Sequence, residues 1–188
     1  KAAAGLNGLG DLALVPVLAE GWTGAPPAAR LKAINALLQR APTLPTQQTA
    51  RLQAARALLL LELDRTGASK VAADSVRSAP QSAEAWHALG VISLAQGRVQ
   101  KALESFDACA AARPAGAACA QGQVHALIEL DRLEEAALRA ATPGLRAWVA
   151  AERGEAVEAA GALGAYAAGL GALSRPDPAA VAALSETV

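Results

Sequence analysis

Residues 83–116, AEAWHALGVISLAQGRVQKALESFDACAAARPAG, decide how the rest of the chain is read. Along 82–96 the side chains of Trp86, Leu89 and Ile92, with Ala85, recur at steps of three and four, the stripe of an amphipathic helix, and Gly97 stops it. A second helix follows, on which Val99, Ala102, Leu103, Phe106 and Cys109 share the inner face. Gly90 and Ala102 are small where two helix axes must come close. Pro114, with no N–H to donate and a fixed φ, blocks continuation.

The same chemistry returns 34 residues later. Gln96-Gly97-Arg98-Val99-Gln100-Lys101-Ala102-Leu103 falls on Leu130-Asp131-Arg132-Leu133-Glu134-Glu135-Ala136-Ala137, a turn and then a helix with a small residue at its second turn. In the other direction Pro114 falls on Pro80 and Ala102 on Ala68. Four helix ends share a spelling: Gln39-Arg40-Ala41-Pro42, Arg77-Ser78-Ala79-Pro80, Ala112-Arg113-Pro114 and Ala140-Ala141-Thr142-Pro143. Their prolines are 38, 34 and 29 residues apart, so the repetition is irregular.

The set Trp86, Leu89, Gly90, Ala102, Phe106 and Pro114, spaced W-x2-L-G, A-x3-F, P, resembles the tetratricopeptide repeat. The resemblance implies an all-α fold, an α-solenoid of stacked antiparallel helix hairpins coiled as a superhelix, because each hairpin has an apolar face that only a neighbour can cover. Residues 1–188 are then one domain. Its best repeat is 83–116, with degenerate repeats at 49–82 and 117–143 and helical flanks at 9–42 and 145–188. Departures are plain: Leu89-Gly90 becomes Gln123-Val124, Trp86 becomes Ala120 and Phe106 becomes Ala140.

Element by element, the stop signals predict a helix from Asp11 to about Glu20, interrupted near Pro16, and helices 27–40, 46–64 with Thr46 as cap, 68–78, 82–96, 99–112, 116–130 and 133–141. Leu145–Arg153 and Glu155–Ala168 follow, with Gly154 in the place of Gly97, and a short helix begins at Pro178. The run 57–61 is apolar on every side, which predicts a helix covered on both faces. Residues 159–174 are uncharged and rich in Gly and Ala; sixteen weakly apolar residues are too few to span a bilayer and predict tight helix packing.

In repeats of this kind the resemblance places function on a concave wall lined by the first helix of each pair. Its second, fifth, ninth and twelfth positions are Glu84, His87, Val91 and Leu94. One period earlier the fifth, ninth and twelfth are Gln53, Ala57 and Leu60, and one period later Gln121, His125 and Ile128. The resemblance thus implies a protein–protein interaction scaffold, an adaptor with a groove for a peptide or helix of another protein, in an assembly such as a bacterial envelope, pilus or secretion complex. Amides in such a wall bond an extended backbone while apolar positions take side chains. Family members that clamp a C-terminal carboxylate use Lys and Asn at the fifth and ninth positions. His87 and Val91 stand there, so that ligand is disfavoured.

Composition narrows the alternatives. The 188 residues are 53% hydrophobic but 3% aromatic, and alanine and leucine suit packed helices better than strands. Seventeen basic residues balance seventeen acidic ones, which argues against nucleic acid as partner. Residues 1–80 nevertheless carry nine Lys/Arg against five Asp/Glu, and 81–188 carry eight against twelve. That polarity allows head-to-tail self-association through oppositely charged ends as a second function. There is no Gly-rich phosphate loop, H-E-x-x-H, C-x-x-C or G-x-S-x-G, so the chain reads as non-enzymatic, without cofactor or metal.

Cys109 and Cys119 stand five residues either side of Pro114, at equal height on a hairpin, which allows a disulfide if both Cβ atoms point across it; two small buried thiols are the other reading. Cys119 and His125 face apart on a helix and make no zinc pair. A disulfide favours an oxidising compartment such as a bacterial periplasm. The absence of methionine makes Lys1 read as a processed or truncated start, with any signal or anchor upstream.

Overall fold

Alanine- and leucine-rich segments with frequent Pro, Gly and Asp punctuation fold into short helices that must cover one another. The computed structural model describes residues 26–39, 44–112 and 117–155, within which there are eight α-helices and no strand. They are α1 (Pro27–Leu38), α2 (Thr46–Leu63), α3 (Arg65–Ser78), α4 (Ala83–Ala95), α5 (Val99–Ala112), α6 (Ala117–Glu129), α7 (Leu133–Arg139) and α8 (Pro143–Glu152). The helices predicted before residue 26 and after residue 155, and the segment 159–174, lie outside the described residues.

Three helix ends are built alike. Gly97, Asp131 and Gly154 have φ of 71°, 57° and 73°, the left-handed conformation that reverses the chain. At each, the N–H of that residue and of the next reach back to carbonyls three and five residues earlier: Gly97 to Leu94 and Arg98 to Ser93, Asp131 to Ile128 and Arg132 to Leu127, Gly154 to Ala151 and Glu155 to Ala150. This double closure satisfies the carbonyls that a helix end orphans. Asp131 does so as a non-glycine residue, the chemistry that the 34-residue comparison with Gly97 exposes.

The starts are less uniform. Ser82 accepts from the Ala85 N–H and Thr142 from the Leu145 N–H, each at 3.3 Å, capping α4 and α8. Thr46 is not a cap: Pro45 holds that position without a side-chain bond. One residue, Asp64, both ends α2 and begins α3. Its Oδ1 accepts from the Thr66 and Gly67 N–H groups at 3.1 and 3.0 Å, so α3 starts at Arg65, three residues before the predicted 68.

By its internal contacts the chain divides into two compact units, residues 1–115 and 116–188. In the first, α2 packs on α1, α3 and α4, and none of residues 48–61 is exposed. One cluster joins Ile34, Leu52 and Leu59, backed by Leu37, Leu38 and Leu44. A second joins Ala57, Ala68, Ala72, Leu89 and Ile92, with Trp86 and Val71 packed against it. The Trp86 indole N–H donates to the Pro80 carbonyl at 2.8 Å, and the buried Ser75 hydroxyl donates to the Ala50 carbonyl at 3.1 Å. Between α4 and α5 the contact is tighter: a Cβ on Gly90 would lie 2.6–2.8 Å from three carbons of the Phe106 ring.

In the second unit α6 packs on α7 and α8, and α7 on α8, around Val124, Leu127, Ala136, Leu145 and Val149. Arg153 pairs with Glu134 at 3.1 Å and Glu155 at 3.2 Å, while Arg132 makes two 2.7 Å hydrogen bonds to Glu135 and holds that carboxyl below its ordinary range. Across both units Ala68, Ala102 and Ala136, spaced by 34, are each 0% exposed. A larger side chain at any of them would force the neighbouring helix away.

Candidate binding surface

Alternate helices touch in each unit, and the predicted wall positions lie on α2, α4 and α6. In the first unit α2 and α4 pack together, and Arg51 Nε on α2 lies 3.0 Å from Glu84 Oε1 on α4, an ion pair without hydrogen-bond alignment. One turn along α4, His87 is partly buried with its ring 5.9 Å from that of Phe106, tilted at 57°. Burial pushes the imidazole below its ordinary pKa, and the nearby Glu84 charge opposes this more weakly. Val91 and Leu94 are partly buried farther along the same helix.

The α2 positions divide. Gln53 is partly buried, and its Oε1 is shielded from solvent without a hydrogen-bond partner. Leu60 is partly buried and packs on the α2–α3–α4 cluster. Ala57 corrects the sequence-based expectation: it is 0% exposed in that cluster and presents nothing to a ligand. The cause is the position of α2, which three helices flank, so that a register transferred from α4 points this residue inward.

In the second unit Gln121 is exposed, and His125 and Ile128 are partly buried, all on α6. The His125 ring lies 5.2 Å from that of Trp148 on α8, tilted at 58°. His125 Nε2 is 3.6 Å from Glu129 Oε1, and the Trp148 indole N–H donates to Glu152 Oε1 at 3.0 Å. Trp148 was absent from the expected wall because the interval between prolines contracts to 29 before α8. Counting from the left-handed residue that ends each helix recovers it. Val91, His125 and Trp148 each stand six residues before Gly97, Asp131 and Gly154.

No family model matches the chain, and no curated protein matches it. Chemistry at the surface therefore has to be read from its own side chains. Among the described residues no group of three His, Cys, Asp or Glu side chains is placed to hold a metal ion, and no helix is long and apolar enough to cross a membrane. Cys109 and Cys119 are both disulfide-bonded.

Proposed function

We propose that this chain is a tetratricopeptide-type binding module, an α-solenoid whose first helices form a wall that takes a peptide or helix of a partner protein. The observation that carries the proposal is the packing of alternate helices, α2 on α4 and α6 on α8, alongside that of sequence neighbours. Stacked hairpins need that contact, and an isolated hairpin does not. Three buried alanines 34 residues apart and the like helix endings support the same reading.

The wall's chemistry fits a polypeptide ligand. In the first unit Gln53 brings an acceptor with no internal partner, Glu84 and His87 bring polar groups at the edge of buried surface, and Val91 and Leu94 bring partly exposed apolar area; in the second, Ile128 is a partly exposed apolar residue. An extended backbone meets such a mixture with its amides while alternate side chains reach the apolar positions. The test is capture of the partner by the intact chain and by a His87→Ala, Val91→Ser, Gln121→Ala variant of matched circular dichroism. Loss of capture in the variant is expected. Undiminished capture would overturn the assignment of the wall.

A further inference from the structure

The second unit carries a patch whose charges are arranged unlike the rest. There Arg132 pairs with Glu135, Arg153 with Glu134 and Glu155, and Arg146 bonds the carbonyls of Ala140 and Ala141. Glu129 and Glu152 instead meet the His125 ring and the Trp148 indole. These four residues occupy two equivalent places on the alternate helices α6 and α8. His125 and Trp148 stand six residues before the left-handed residue, and Glu129 and Glu152 stand two before it. Two aromatic rings thus lie 5.2 Å apart, tilted at 58°, with the Glu152 carboxylate hydrogen-bonded to one and the Glu129 carboxylate 3.6 Å from the other.

Resting on the wall assigned above, we propose that this patch binds an arginine side chain of the partner segment. A guanidinium is flat, so it stacks on an indole face while its forked N–H groups reach carboxylate oxygens at the ring's edge. The Trp148–Glu152 hydrogen bond holds the indole and uses one oxygen, which leaves the other for the incoming cation. Glu129 brings the second negative charge with its side chain 54% exposed, so it reaches solvent without first being uncovered. The favoured partner is a polypeptide segment with exposed arginine, and charge complementarity selects it over an acidic one.

The test uses the full chain with 15N-labelled tryptophan and acetyl-triarginine amide as probe. Of Trp22, Trp86 and Trp148, the Trp148 indole signal is assigned by Trp148→Phe. Saturable shift of that signal is expected at near-physiological salt, with the Trp86 signal unmoved. Glu129→Gln with Glu152→Gln should weaken binding about tenfold, since both exposed carboxylates contact the cation, whereas Glu62→Gln with Glu104→Gln should leave it unchanged. No saturable shift, equal losses in the two double variants, or equal binding of acetyl-triglutamate amide would overturn the inference. Partner capture that still depends on His87, Val91 and Gln121 would then leave the wall standing. Triarginine binding at Trp148 with capture indifferent to those three would overturn the wall instead.

Discussion

Gly90 and Gly97 separate two reasons for a glycine. At Gly90 a methyl group meets the Phe106 ring below 3 Å, whereas at Gly97 nothing lies within 4 Å and only the positive φ opposes a side chain. Gly90→Ala is expected to lower stability by about 1–3 kcal/mol through overpacking, and Gly97→Ala by about 1 kcal/mol through backbone strain. Urea denaturation of the two variants checks both the magnitudes and their order. His87 gives a pH prediction. Burial depresses its folded-state pKa below the ordinary value of about 6.5, so between the two values the unfolded chain binds more protons than the folded one. Its neutral ring is harmless above about pH 6.5, and stability falls as pH drops through the folded-state value. The loss of melting temperature between about pH 7.5 and pH 5 is therefore expected to be smaller in His87→Gln than in the parent chain.

At the scale of elements, the repeated helix ending matters more than helix propensity. The same pair of backbone bonds closes α4, α6 and α8, yet only α6 does so through a non-glycine residue, Asp131 at φ 57°. Left-handed backbone costs an L-residue about 1 kcal/mol that glycine avoids. Asp131→Gly is accordingly expected to stabilise the second unit by about 1 kcal/mol, visible as a raised melting temperature. A lower one would mean that the Asp131 side chain contributes more than its backbone costs. The single-residue join at Asp64 shows the opposite economy, since one carboxylate both permits the break after α2 and caps α3.

For the whole molecule, charge separates the two functions that the sequence leaves open. Residues 1–80 carry an excess of four positive charges and 81–188 an excess of four negative ones. A binding module of the kind proposed needs no copy of itself, so sedimentation velocity at low and at high salt is expected to give one coefficient, independent of concentration. Oligomers that form at low salt and dissociate at high salt would favour self-assembly through the oppositely charged regions, because screening weakens exposed charge pairs beyond about 10 Å at 0.1 M salt.

Helix placement was legible from sequence because its signals act within a turn or two. Gly97 and Gly154 end helices, Pro27 begins one, and the small residues at 68, 102 and 136 repeat where axes approach. The all-helical class follows from the same local energetics. Ala57 and Trp148 were decided otherwise. Ala57 is buried because α1, α3 and α4 all flank α2, and Trp148 meets His125 because α8 packs on α6 despite the shortened interval before it. Burial and ring contact depend on which distant residues cover a position, a quantity that local spacing does not contain.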